Sequence, residues 1–178
     1  MVEPLFKDRL VTGEIATLGV TPEWSVRWRA QMVELLVQRA IEARRSGKHF
    51  LLCGDPVPPG ELLAVPSADQ LDDIAVCLLD VSEEEQSRRL LARGDDPALL
   101  PRHNAFAAWM RRHVVDPYHL PEVITNDSWD EMRWDRWLGK HRVRVPWSAY
   151  VIDTTSLEPN EVADEVAAWI RKHLEALS

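Results

Sequence analysis

Three short apolar runs in this sequence each end on an aspartate: Lys48 to Asp55, Ile74 to Asp80 and Ala149 to Asp153. An ionised carboxylate can accept the proton of a hydroxyl or join the shell of a divalent cation. Read as structure, each run is a strand ending in a loop, and in an open α/β sheet the carboxyl ends of the strands face the ligand crevice. Asp55, Asp80 and Asp153 therefore stand where chemistry is expected. The plainer use of an aspartate just past a strand is as a turn or helix-cap residue, above all for Asp80. A second group is cationic. Arg88, Arg89, Arg93, Arg102, Arg111 and Arg112 form the one dense arginine region of a chain whose formal net charge is −8, so an anionic ligand would be held there. Arginines in the last turn of a helix also complement the macrodipole, which is a purely structural use.

The elements that must position these groups follow from hydrophobic periodicity. The run Lys48 to Asp55 lacks polar alternation, which suits the interior of a parallel sheet covered on both faces, and the two later runs repeat that design. Before it, Thr21-Pro22 opens a helix that runs to Gly47, with Thr as N-cap and Pro at the first helical position. Its stripe of Trp24, Trp28, Met32, Leu36 and Ala40, flanked by Val33, Val37 and Ile41, marks a helix packed on a sheet. Those tryptophans could line a base-binding pocket, but aromatics at helical spacing are the mark of a core. Residues 1–20 read as irregular, with a weakly β-like stretch from Glu14 to Leu18.

Pro56 to Ser67 is rich in proline and reads as a loop at the carboxyl edge of the sheet. Ser82 and Glu85 form a capping box for a helix that ends near Gly94, and Asn104 to Val114 is helical with Phe106, Trp109 and Met110 packed inward. Residues 116–146 are a Trp-rich, lid-like insert whose helix, Trp129 to Leu138, is capped by Ser128 and Glu131 and stopped by Gly139. The last strand passes through Asp153-Thr154-Thr155-Ser156-Leu157 into a helix introduced by Pro159, with Val162, Val166, Ala167, Ile170, Leu174 and Leu177 on its buried face. This alternation predicts an α/β fold: a single domain over residues 1–178 with a three-layer, mostly parallel sheet and helices on both faces.

Bulk properties exclude several classes. Hydrophobic residues make up 46% and charged residues 28% of the 178. No apolar run reaches the roughly 18 residues of a membrane span. The acidic start lacks the basic and apolar regions of a signal peptide, so a cytoplasmic setting is expected. The negative charge argues against nucleic acid as a partner. Cys53 and Cys77 both fall in strands and read as reduced, hydrophobic residues. No metal-ligand spacing of cysteine or histidine occurs.

The order of pieces resembles the back two-thirds of a P-loop small-molecule kinase, the group of adenylate, shikimate and gluconate kinases and their relatives. The resemblance covers residues 22–175. It is carried by Ala43-Arg44-Arg45-Ser46-Gly47 leading into a strand that stops at Gly54-Asp55, by Val76 to Asp80 followed by Arg89-Leu90-Leu91-Ala92-Arg93-Gly94, and by Val151 to Thr155 running into Glu161-Val162-Ala163-Asp164. It implies ATP and Mg2+ as cofactors and a small-molecule phosphoryl acceptor, with a homo-oligomer left open. It also implies that Arg89 and Arg93 face the nucleotide and that Asp153, Thr154, Thr155 and Leu157 pass the base. Arg102, or Arg111 and Arg112, would face the transferred phosphoryl group, and Asp55 the magnesium shell or the acceptor hydroxyl.

The sequence departs from that family at its most diagnostic point. Gly-x-x-x-x-Gly-Lys-Ser/Thr, whose amides cradle phosphate, is absent. Gly47-Lys48 and Gly139-Lys140 are preceded by Glu42 and Trp134 where the first glycine belongs and followed by His49 and His141 where a hydroxyl belongs. Two readings follow: an incomplete ATP-binding core, inactive as this chain stands, or a non-catalytic binding module of the same fold. A metal-independent hydrolase using Asp55 with His49 or His119 is a third, without a nucleophile motif to support it. In the kinase family the missing strand lies between the strands that end here at Asp55 and Asp80. Direct pairing of those two strands, bringing Cys53 beside Cys77, is the expected remedy; a segment such as residues 14–18, or a second chain, could fill the place instead.

Overall fold

The computed structural model describes residues 6, 8–19, 25–54, 56–138 and 147–176. In chain order the elements are β1 (Leu10–Gly13), α1 (Val26–Arg45), β2 (His49–Leu52), α2 (Pro59–Ala64), β3 (Ala75–Asp80), α3 (Glu83–Arg93), α4 (Leu100–His113), α5 (Glu122–Thr125), β4 (Ser148–Asp153) and α6 (Pro159–Ala176). Short 3₁₀ turns cover Ile15–Leu18, Pro66–Gln70, Pro97–Leu99 and Trp134–Arg136. The protein is mixed α/β, and no helix among the described residues is long and apolar enough to cross a membrane.

Local signals place most helices. The proposed Thr21-Pro22 cap and Trp24 lie outside the described residues; the described helix α1 is capped by Ser25, whose hydroxyl accepts from Trp28 N at 3.1 Å. Ala30, Val33, Leu36, Val37 and Ile41 are buried along it. Helix α3 begins at Ser82, whose hydroxyl accepts from Glu85 N, and stops at Gly94, left-handed at φ 95°. The capping box is only half formed, because the Glu85 carboxylate turns to Arg88 and Arg89 and the Ser82 amide donates to Thr155 Oγ1 at 2.9 Å.

The strands pair in a way that sequence periodicity did not foretell. β1 lies parallel to β2 with Leu10 opposite His49, and β3 parallel to β4 with Ala75 opposite Ser148, giving two separate two-stranded sheets. The expected direct pairing of the strands that precede Asp55 and Asp80 does not form. Cys53 and Cys77 therefore do not sit on neighbouring strands, and neither is in a disulfide. Residues 14–18 contribute a 3₁₀ turn and no strand, whereas Leu10–Gly13, read as irregular, is β1. Four residues are too few to carry an alternation signal, so β1 exists by virtue of its partner.

Two further expectations are corrected. Pro56 to Ser67 is not all loop: Pro59 occupies the first turn of α2, where a missing N–H costs nothing. Trp129 to Leu138 is not a helix; only Trp134–Arg136 winds into a 3₁₀ turn. Tertiary bonds override the helical pattern there. Arg133 N donates to Ala64 O at 2.6 Å, and the Arg136 guanidinium donates to the carbonyls of Leu63, Val65 and Pro66 at 2.9, 2.6 and 2.7 Å, closing the carboxyl end of α2. Gly139, the proposed stop, lies outside the described residues. The tryptophans pack as core: Trp109, Trp137 and Trp147 are buried, with Ile124, Met110 and Val114 sharing the cluster of the first two. Helix α6 leaves β4 and packs on the other sheet, setting Ile170 and Leu174 against Leu10 and Leu51.

Candidate functional site

The carboxyl ends of β3 and β4 carry a polar cluster built largely from residues the sequence singled out. Asp80 Oδ1 accepts from Arg111 Nε at 2.6 Å and from Val81 N at 2.8 Å, while Arg111 Nη2 donates to Val81 O. The Asp80 carbonyl accepts from both the amide and the hydroxyl of Thr154, each at 2.8 Å. Arg89, on the second turn of α3, donates Nη2 to Thr154 O at 2.7 Å and Nε to Glu85 Oε1 at 2.7 Å. Thr155 in turn donates its hydroxyl to Asp153 Oδ1 at 2.6 Å and its amide to the same oxygen at 3.0 Å. These two bonds hold the Asp153 carboxyl below its ordinary range. Hydrogen bonds from Arg88 and Arg89 push Glu85 down to about 2.

The remaining nominated residues are not gathered here. Arg93 forms a bidentate pair with Asp95 at 2.7 and 3.0 Å on the exposed end of α3. Arg102 and Arg112 are exposed on α4, the first near its start and the second one residue past Arg111. Leu157 closes a turn by donating its amide to Thr154 O. Asp55 lies outside the described residues. Asp80, for which a turn or cap role was the plainer reading, accepts from the following amide and also anchors Arg111. Among the described residues no three His, Cys, Asp or Glu side chains converge to hold a metal ion. An open, polar cavity of 210 Å³ lies away from this cluster, between α1 and the Pro66–Gln70 turn, lined by Gln38, Glu42, Arg45 and Gln70 among others.

A second constellation, missed in the sequence, surrounds α2. Glu61 is fully buried and pairs with Arg29 of α1 at 2.9 Å. Burial pushes its carboxyl up to about 7, against the lowering pull of Arg29. The neighbouring Gly60 donates its amide to His113 Nε2 at 3.2 Å and accepts from Trp137 Nε1 at 2.8 Å. His113 is wholly buried, stacked on Trp109 at 4.7 Å, and Nδ1 has no hydrogen-bond partner among the described residues. Burial drives its pKa down to about 4, so it stays neutral and accepts through Nε2. The only sequence signal for this knot was a glycine and a glutamate directly after paired prolines, a pattern that also suits a plain surface loop. Comparison with protein-family models, with curated proteins and with solved structures finds no match to this chain.

Proposed function

We propose that this chain is the nucleotide-binding part of a kinase-like phosphotransferase with a three-layer, P-loop kinase-like fold, binding the adenosine side of ATP and acting on a small molecule. As it stands it does not transfer phosphate, because the amide cradle and lysine that neutralise the phosphates are missing from its sequence. One observation carries the reading: Arg89 donates to Thr154 O at 2.7 Å, so the arginine-bearing helix after β3 and the loop after β4 lie side by side. The kinase resemblance requires that adjacency if one segment is to face the nucleotide while the other passes the base. Arg111, fixed on Asp80, adds positive charge at the same sheet edge. Mg2+ enters only as the companion of the nucleotide phosphates, since no described side-chain set fits it.

Calorimetric titration of the chain with Mg-ATP tests this. Weak, saturable binding that falls at least tenfold in Arg89→Ala is expected; absence of binding at millimolar nucleotide overturns the reading. A non-catalytic interaction module is the second reading, and it is favoured by a specific fact. Arg89 and Arg111 are already paired with the protein's own Glu85 and Asp80, as arginines in a purely structural network would be.

A further inference from the structure

Helix α1 turns one row of side chains toward the Pro66–Gln70 turn, and most of that row is polar. Glu34, Gln38, Ile41, Glu42 and Arg45 are spaced by three and four residues, so they share one face of the helix. A helix face covered by another element is ordinarily apolar. At its buried end the row is satisfied within the chain. Glu34, 6% exposed, accepts from Gln38 Nε2 at 2.8 Å, from Ser67 Oγ at 2.5 Å and from Ser67 N at 3.0 Å. Toward the carboxyl end of α1 the row opens instead on the cavity of 210 Å³, lined by Gln38, Ile41, Glu42, Arg45, Ser67 and Gln70.

Two charges of opposite sign border this cavity without meeting. Glu42 and Arg45 stand one turn apart, with about 5 to 6 Å between their Cβ atoms, which is near enough for an ion pair. Among the described residues neither is in one. The macrodipole favours Arg45 in the last turn of α1 and disfavours Glu42 there, so local electrostatics accounts for the cation and not for the anion. The facing wall is fixed by the fold. Arg136 donates to Pro66 O at 2.7 Å, and Arg44 pairs with Asp72 and donates to Gln70 O at 3.4 Å, so the turn is held at both its ends. Because the Ser67 hydroxyl and the Gln38 amide nitrogen donate to Glu34, Ser67 Oγ and Gln38 Oε1 remain as acceptors.

We propose that this cavity binds a small zwitterion, an α-amino acid with an uncharged polar side chain, whose carboxylate lies on Arg45 and whose ammonium lies on Glu42. The two charged groups of an α-amino acid share one carbon, a short span that side chains one helical turn apart can bracket. The ligand's hydroxyl or carboxamide meets the acceptors of Ser67 and Gln38 and the side-chain amide of Gln70. A wall already ordered by Glu34, Arg44 and Arg136 spares the ligand that ordering cost. The inference rests on the row along α1 and is independent of the nucleotide reading.

Nuclear magnetic resonance titration of the 178-residue chain with L-glutamine and L-serine tests it. Saturable shifts centred on the backbone amides of Gln38, Glu42, Arg45, Ser67 and Gln70 are expected with at least one of the two. Arg45→Met and Glu42→Gln, both at exposed positions, should each weaken that binding at least about tenfold while leaving the melting temperature and the response to Mg-ATP unchanged. Acetate and methylammonium, which each carry one of the two charges, should bind at least about tenfold more weakly than the amino acid. No saturable shift with either amino acid at millimolar concentration, shifts centred elsewhere, equal affinity for acetate or methylammonium, or binding that survives the two substitutions would each overturn the proposal.

Discussion

At the scale of single residues, the two buried titratable groups beside α2 pull stability in opposite directions. Glu61 in the folded chain keeps its proton up to about 7, whereas the unfolded carboxyl gives it up near 4.5; between those values the folded state binds more protons, and stability falls as pH rises. His113 refuses a proton until about 4, while the unfolded imidazole takes one near 6.5, so its contribution is lost as pH falls through that window. The two slopes overlap between 4.5 and 6.5 and largely cancel. Glu61→Gln should therefore unmask a melting temperature that rises with pH across this range, and His113→Gln one that falls, each by about 2 kcal/mol of stability. Thermal melts followed by circular dichroism in steps of pH would check the signs; parallel slopes in the two variants would refute the assignment. Asp80 and Arg111 illustrate how much a residue type leaves open. The sequence showed an aspartate at a strand end and an arginine at a helix end, and the same pair could have met a ligand or each other.

At the scale of elements, α2 depends on bonds that arrive from elsewhere. It is one turn and a half long, too short to persist by itself. Arg136, its side chain 19% exposed, closes the end of α2 and the turn after it with three bonds to the carbonyls of Leu63, Val65 and Pro66, and Arg136→Ala should cost about 2 to 4 kcal/mol in urea unfolding. Lysine at that position, lacking the planar fork, should recover less than half of the loss. Gly60 has no room for a side chain: a Cβ would stand 2.7 Å from the Trp137 ring and 2.9 Å from His113. Since both rings are buried and hydrogen-bonded to Gly60 itself, Gly60→Ala should destabilise by about 1 to 3 kcal/mol and alter the near-ultraviolet tryptophan signal. An unchanged spectrum with unchanged stability would show that the knot around α2 is looser than its geometry.

At the scale of the whole molecule, the phosphate cradle absent from the sequence sets the expected activity. Steady-state assays of the chain should show no phosphoryl transfer or ATP hydrolysis approaching the 1 to 100 per second of ordinary kinases, and turnover in that range would sink the reading given above. What the sequence by itself determined is the part of the fold encoded locally. The stripe of α1, the Ser82 cap and Gly94 stop of α3, the apolar face of α6 and the three strands ending near Asp55, Asp80 and Asp153 are each written within a few residues, because helix periodicity, capping and strand alternation act over one or two turns. Only the tertiary structure decided that Leu10–Gly13 is a strand, that β2 and β3 belong to different sheets, that Trp129 to Leu138 surrenders its helical pattern to backbone bonds with α2, and that Glu61, Arg29 and His113 meet. The physical reason is common to all four. A strand's partner, a carbonyl's distant donor and a buried charge's counter-charge are chosen by which surfaces the chain brings together across tens of residues, and the energies involved exceed the few tenths of a kcal/mol per residue with which local propensity can object.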